Sequence, residues 1–596
     1  MDLIVNTHIL RHLSHLFDRG RSATPSVAQR VEKPLCPHKS KMLQPFPRRT
    51  PEEMGLSSRR IADFLQEIKD HPQLEIHGVM ILRRGAVVCD AHFGAYKPCF
   101  WHAGHSLSKS VTATAIGMLI EEGRLSFDDK AVKILEKKIP PLAQLTHKGI
   151  TVRHLLTMTA GATFSEAGVM VEKNWLRAYF ESTLRFEPGK EFYYNSLNSY
   201  VLSAIVREIT GQGLLEYLRP RLLDPLGITV YHWETSPEGI EDGGWGLYLR
   251  REDVAKLGQL YLNGGVWNGK RLLSEEWVKT ATSPLVPTAE SNGAFDYGLH
   301  MWSGRDRSCF LFNGMFGQDM LAFPQSDILI VTNGGLEQLF QQSLYYDLLF
   351  RYFGNQYPSR LPRDRKGEAL LRKTIDSLAS MEPGATLLDR IRRKPLPAFM
   401  KRAVGKTYYA DKQEKLDVIR TVSITGAANQ SLLPFIEQLL RNHYAGGIDS
   451  FTLDLVDGRL YLRVREGGQA IHSLPIVLGK TVFTVLHLSE TDYHTAVTAT
   501  VACDEDGRGV LKLSLSFPEI SSSRHIKIFF EKDSLEVEMK EMPGIGLMHH
   551  AITGLENSLK NKKHVAGVVA RLDPDFLYCK LEKTLEPRFR LRERKG

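Results

Sequence analysis

The sequence predicts an α/β chain of the α+β type: an antiparallel sheet flanked by helices, followed by a mostly β C-terminal domain. Three observations carry this. A hairpin pattern comes first, helices fill the middle, and strands with a closing helix come last before residue 355, the order of a sheet in which the two ends of the chain meet. After about residue 400 the pattern changes to alternating apolar and polar residues separated by turn signals. The 596 residues also exceed what one core usually organises.

Residues 1–45, with Pro25, Pro34, Pro37 and Pro45 among many charges, predict a poorly ordered leader. The first domain is expected over 46–355. A helix should run through Ile61 to Ile68, with Ser57 or Ser58 near its start. Val79 to Leu82 and Ala86 to Phe93 form a hairpin across Arg84-Gly85. From His105, apolar residues at Val111, Ala115, Met118 and Leu119 recur at helical spacing until Gly123. Further helices are expected from Thr151 towards Gly161, over Tyr200 to Thr210 before Gly211, and over Asp253 to Tyr261 before Asn263-Gly264-Gly265. Strand signals return at Tyr297 to Trp302, Cys309 to Asn313, Asp319 to Phe323 and Ile328 to Thr332, and Leu336 to Phe353 closes the domain as a helix.

Proline and charge over 356–400, including Pro358, Pro362, Pro383, Pro395 and Pro397, predict a linker. In 401–596, Phe451 to Leu455 and Arg459 to Val464 flank Asp457-Gly458, a hairpin signal. Strands continue at Thr481 to Leu486, Ala496 to Cys503, Val510 to Phe517, Ile526 to Phe530 and Leu535 to Met539, implying a barrel or sandwich, with a solvated basic tail after Pro587.

The net charge of +9 is modest for this length, and its lysines and arginines are scattered, so no nucleic-acid partner is expected. The six cysteines, at 36, 89, 99, 309, 503 and 579, show no metal or disulfide spacing. His102 with His105, and His549 with His550, lack further ligands at metal spacing, so neither metal nor cofactor is expected. His8, Arg11, His12, His15, Asp18 and Arg19 interrupt the N-terminal stretch, and no apolar run is long enough to span a bilayer. The expectation is a cytoplasmic protein with no membrane span. The oligomeric state stays open.

Chemistry concentrates at Ser106 and Lys109, three residues apart and so on one face of a helix. A serine hydroxyl is a weak nucleophile until a neighbour takes its proton. A lysine does so when neutral, and burial and the positive end of a helix both favour that form. Downstream, Pro188-Gly189 leads to Tyr193-Tyr194-Asn195-Ser196, where a tyrosine could pass a proton to the leaving group. Gly314-Met315-Phe316-Gly317-Gln318 offers backbone N–H groups close to a substrate oxygen. The G-x-S-x-G elbow of α/β-hydrolases is nearly matched by Gly104-His105-Ser106-Leu107-Ser108, but fails at its last glycine and lacks the preceding strand.

Ser106-Leu107-Ser108-Lys109, Leu155-Leu156-Thr157-Met158-Thr159-Ala160-Gly161, Pro188-Gly189 before Tyr194, Asp224-Pro225-Leu226-Gly227 and Leu257 to Gly265 with Trp267 stand in one order over about 300 residues. In this the chain resembles the serine hydrolases related to class C β-lactamases and penicillin-binding proteins. The resemblance implies Ser106 as acylated nucleophile, Lys109 as its base or relay, and the backbone N–H groups of Ser106 and Met315 as oxyanion donors. The family's Tyr-x-Asn or Tyr-x-Ser motif fits two registers here. Tyr193 begins one, and Tyr194, with Ser196 beside it, is preferred on spacing. The family's Lys-or-His, any residue, Gly motif aligns with Phe312-Asn313-Gly314, where only the glycine survives, so recognition of a penicillin-like carboxylate is not implied.

Gly243 to Leu247, with Trp245, and Tyr297 to Trp302 resemble pocket segments of the branch acting on esters and oligomeric amides. Gly314, Gln318 and Trp245 join the expected substrate contacts. The reading is a serine hydrolase acting on a small-molecule ester or amide through a Ser106 acyl-enzyme. The alternatives are an acyltransferase of the same fold and a catalytically silent ligand-binding or sensing protein. Gly405-Lys406-Thr407-Tyr408 opens a domain that vaguely resembles lipocalin-like modules.

Overall fold

The computed structural model describes residues 31–338, 343–380, 396–410, 430–468, 470–544 and 585–593, with positions 546 and 582. The first domain is built on a seven-stranded antiparallel sheet. Its strands are β1 (Ile76–Arg83), β2 (Ala86–His92), β3 (Phe295–Tyr297), β4 (Trp302–Gly304), β5 (Phe310–Gly314), β6 (Gln318–Phe323) and β7 (Ile328–Gly334), in the spatial order β2-β1-β7-β6-β5-β4-β3. The hairpin from the start of the domain therefore pairs with its last strand, Met80 opposite Val331.

Both faces are buried, and the period of two assigns side chains to them. Met80, Leu82, Met320, Ala322, Leu329 and Val331 point into one core, and Val79, Ile81, Leu321, Phe323, Ile328 and Ile330 into the other. The first core is shared with helices α2 (Ser108–Glu121), α3 (Leu197–Thr210) and α4 (Arg251–Leu262). The second is shared with α1 (Ser58–Asp70), α5 (Leu344–Phe353) and α6 (Arg365–Ala379). Ser57 caps α1 by accepting the N–H of Arg60, and Gly211 ends α3 in the left-handed conformation at φ 72°.

Three expectations need correction. The segment 31–45 is packed rather than loose: Lys33 pairs with Glu519 at 2.7 Å, Cys36 is buried, and Lys256 Nζ donates to Leu43 O at 2.7 Å. Residues 1–30 lie outside the described residues. The expected linker contains α6, whose Leu371 and Leu378 are buried against α1; its amphipathic spacing was masked by flanking prolines and charges. The basic tail contains a strand, Arg588–Glu593, because Phe589 and Leu591 alternate with its charges.

That strand completes the second domain. Ten strands, β8 (Thr407–Ala410), β9 (Ile448–Val456), β10 (Arg459–Glu466), β11 (Ala470–Ile476), β12 (Thr481–Leu488), β13 (Thr491–Cys503), β14 (Gly509–Ser516), β15 (Ser523–Phe530), β16 (Ser534–Met542) and β17 (Arg588–Glu593), form one antiparallel meander. Consecutive strands pair except β11 with β12, and β8 pairs with β17, so the sheet curls into a near-barrel open between β11 and β12. Asp457 and Gly458 both take positive φ, 50° and 70°, in the tight β9–β10 turn. The barrel core runs on into the first domain. Leu453, Leu513 and Val537 share a cluster with Phe100, Trp101, Ala103 and Tyr248.

Candidate active site

Ser106 lies in a single 3-10 turn, His105–Leu107, that leads directly into α2. The chain enters it through His105 at φ 47°, a left-handed conformation rare outside glycine. Ser108 Oγ donates to His105 O at 2.7 Å and accepts the N–H of Leu247 at 3.2 Å, which fixes the turn from two sides. Just before it, Gly104 N donates to Leu247 O at 2.8 Å.

Lys109, one turn on, is 1% exposed. Its Nζ donates to Ser106 Oγ at 2.8 Å and to Gly244 O at 2.7 Å. Burial pulls its pKa down from 10.5 to about 7, against a smaller opposing pull from the Glu166 carboxylate. The ammonium is thus destabilised where a neutral amine can take a proton from the serine. The glycines at 243 and 244 make this approach possible. A Cβ on Gly244 would lie 2.7 Å from Ser196 O, and one on Gly243 2.5 Å from Ser199 O. The run therefore threads between α2 and α3, with Thr112 Oγ1 donating to Gly243 O at 2.7 Å.

Of the two tyrosine registers, the structure brings Tyr194 to the serine. Its hydroxyl hydrogen-bonds the Ser106 side chain, and burial raises its pKa above the ordinary phenol value, keeping it protonated. Its ring lies 4.9 Å from Lys109 Nζ and stacks on Trp302 at 6.1 Å. Tyr193 instead packs under Arg185, its N–H donating to Met158 O at 2.8 Å. Asn195 is a brace: its Nδ2 donates to Ala162 O and Phe164 O at 2.9 and 2.8 Å. Ser196 is buried at the start of α3, where its N–H donates to Glu166 Oε1 at 2.9 Å.

The turn expected to supply an oxyanion donor follows β5. A Cβ on Gly314 would meet Gly104 O at 2.2 Å, so only glycine lets this strand lie against the nucleophile turn. Met315 follows it, and Phe316 and Gly317 both take positive φ, 68° and 81°. Gln318, expected among the substrate contacts, is instead fully engaged. Its Nε2 donates to Phe316 O, Gly334 O and Ser521 Oγ at 3.2, 2.7 and 3.1 Å, and its Oε1 accepts from Asn333 at 3.2 Å. Trp245 is half-buried against Trp175 at 5.7 Å, next to the Gly244 carbonyl that holds Lys109. Phe312, where a basic residue was sought, is a core side chain set edge-on to Tyr261 at 5.3 Å.

Sequence reasoning missed Glu166, whose carboxylate acts on Lys109, Tyr193 and Tyr194. It also missed His300, whose Nε2 pairs with Ser199 at 2.8 Å while its carbonyl accepts Ser110 Oγ at 2.9 Å, tying α2 to α3. Neither stands in a motif with the serine. His102 and His105 do not converge: His102 meets His77 at 3.2 Å and His105 meets Ser521 at 3.2 Å. Among the described residues no helix is long and apolar enough to cross a membrane.

Residues 61–335 match the family described as Beta-lactamase. A 6-aminohexanoate-dimer hydrolase of Paenarthrobacter ureafaciens is 29% identical over 283 residues, covering 42% of this chain and 70% of that one. Penicillin-binding protein 4* of Bacillus subtilis is 26% identical over 233 residues, covering 33% and 50%. A solved penicillin binding protein from Bacillus halodurans aligns with 48% of this chain and 97% of its own at 18% identity and a TM-score of 0.38. Residues 61–335, which place a serine and a buried lysine one helical turn apart beside β5 of the seven-stranded antiparallel sheet, are thus similar to the Beta-lactamase family.

Proposed function

We propose that the chain hydrolyses an ester or amide through an acyl-enzyme on Ser106, and that it is not a true β-lactamase. The observation that carries this is the buried Lys109 amine, 2.8 Å from Ser106 Oγ and with its pKa pulled down to about 7. Lys109 takes the serine proton as Oγ attacks the acyl carbon. The Gly244 carbonyl holds one amine hydrogen and so fixes the direction of the base. The backbone N–H groups of Ser106 and Met315 receive the developing oxyanion, a contribution of about 10²–10³ in rate per donor. Tyr194, protonated and bonded to Ser106, passes a proton to the leaving group. Water then releases the acyl group by the reverse route.

Phe312 argues against a penicillin-like substrate, since it places a packed aromatic ring where a carboxylate would need a cation. The relative that hydrolyses an aminohexanoate dimer supports an amide or ester as substrate. The test is intact-mass labelling with a fluorophosphonate, beside hydrolysis of short-chain nitrophenyl esters and of penicillin. One adduct, absent in Ser106→Ala, with ester turnover exceeding penicillin turnover, is the expected result. Folded wild type that takes no label refutes the proposal.

A further inference from the structure

We infer that the C-terminal barrel completes the active site: Ser521, from the loop between β14 and β15, is a positioning residue that ties the oxyanion turn to the nucleophile turn. This rests on the acyl-enzyme reading above and deepens it.

The loop is buried along its length, with Phe517, Glu519, Ile520, Ser521, Ser522 and Ser523 each 2% exposed or less. It runs beside the strand that delivers the nucleophile. Ala103 N donates to Glu519 O at 2.9 Å, and Trp101 Nε1 donates to the Glu519 carboxylate at 2.7 Å. Lys33 closes the same carboxylate from a third segment of the chain. Glu519 therefore anchors the loop, and Ser521 is held two residues further on.

At that point one hydroxyl meets two groups of the catalytic domain. Gln318 Nε2 donates to Ser521 Oγ at 3.1 Å, and His105 Nε2 lies 3.2 Å from the same oxygen. Burial pulls the His105 pKa down to about 3, so the ring is neutral and one of its nitrogens is an acceptor. The amide fills a lone pair of the serine oxygen, and the same hydroxyl shares a second hydrogen bond with His105 Nε2, its donor set by the imidazole tautomer. The chain of bonds Gln318, Ser521, His105 has its ends on the two turns whose spacing defines the oxyanion site. Gln318 fixes its own turn by donating to Phe316 O, while His105 immediately precedes the nucleophile.

Both turns are held in left-handed backbone conformations, at His105 and at Phe316-Gly317, which persist only where neighbours over-determine them. The His105 and Phe316 rings meet edge-on at 5.1 Å. Ile436 and Leu585 of the second domain share a buried apolar cluster with Phe316. A contribution from the barrel is thus built into the geometry of both donors.

The test is Ser521→Ala in the full chain, which removes one oxygen and leaves the backbone contacts of Glu519 in place. Two readouts are taken: kcat and KM for a nitrophenyl ester, and amide hydrogen exchange over residues 104–107 and 314–318. Expected are a roughly tenfold or larger fall in kcat with KM within twofold, and exchange faster by a comparable factor at both turns. Unchanged exchange at both turns overturns the brace, whatever the activity. Faster exchange with kcat unchanged overturns its role in positioning. If wild type neither labels nor turns over ester, the acyl-enzyme reading falls and the inferred catalytic role falls with it. The exchange data then still decide whether Ser521 joins the two turns.

Discussion

Lys109 offers the sharpest prediction. An ordinary lysine with pKa 10.5 is neutral in about three molecules in ten thousand at pH 7, whereas one lowered to about 7 is neutral in about half. Burial on α2 therefore raises the population of the competent base by about 10³ at pH 7. The shift equals about 5 kcal/mol of preference for the neutral form, contributed by exclusion of water around a side chain that is 1% exposed. The perturbation is Lys109→Arg, which keeps a hydrogen-bond donor on the same helix face but replaces the amine with a longer, planar guanidinium that stays protonated. The assay is the second-order rate of fluorophosphonate labelling from pH 5 to 9. Wild type is expected to rise tenfold per pH unit below about 7 and level off above 8. No decline is expected near pH 9, because Tyr194 keeps its proton there. The variant should be flat and at least 10³ slower at pH 8. A wild-type rate independent of pH over this range, or a variant within tenfold of wild type, refutes Lys109 as base. The same shift affects stability. The unfolded chain binds the lysine proton more tightly, so this group's contribution to stability should rise with pH between about 7 and 10.5.

Tyr194→Phe should lower ester kcat by about 10²–10⁴, while Tyr193→Phe stays within about threefold of wild type, because only Tyr194 reaches Ser106; steady-state kinetics decides between them. Gly314→Ala forces a Cβ to within 2.2 Å of the Gly104 carbonyl and should abolish labelling while circular dichroism stays native-like, since the clash is confined to the two catalytic turns. Lys33→Met leaves the Glu519 carboxylate buried without its cation and should cost about 3–5 kcal/mol in urea unfolding. If Lys33→Met unfolds at the wild-type midpoint, the Lys33–Glu519 pair does not contribute to stability.

The sheet was legible because its strands have local signatures. The β1–β2 hairpin appeared with its Arg84-Gly85 turn, both residues at positive φ, and β6 and β7 appeared within two residues of their bounds. The expected strand Tyr297 to Trp302 is broken in two, since His300 takes φ 57° and its carbonyl turns to Ser110. No local rule announces a histidine in that conformation. Helix α2 was placed correctly, but its 3-10 entry at Ser106 was not, because that turn is set by contacts with Leu247 and Gly104 rather than by propensity. Strands β8, β11 and β17 were missed because β8 is four residues long, β11 carries Pro475 and β17 is interrupted by charges, so each becomes a strand only when neighbours supply hydrogen bonds. Ser106, Lys109 and Tyr194 were readable as a spaced pattern. Ser521 was not: it lies 416 positions from the histidine it meets, in a serine run with no feature of its own. The helix Leu336 to Phe353 is described from Leu344 onward, and 339–342 lie outside the described residues.

The bond between Lys33 and Glu519 spans 486 positions. On a ribosome adding about 5–20 residues per second, roughly half a minute to a minute and a half separates the emergence of the two partners. Once Gly334 has emerged and the last strand of the sheet is made, α2 and Ser106 are also outside the tunnel, while the loop that presses on their two left-handed turns has still to be made. Trp101 and Lys33 wait with an empty seat between them. The strands of the first domain are thus all made before the turn after β5 can acquire its last support, and the interval ends only when β14 and the loop after it have emerged.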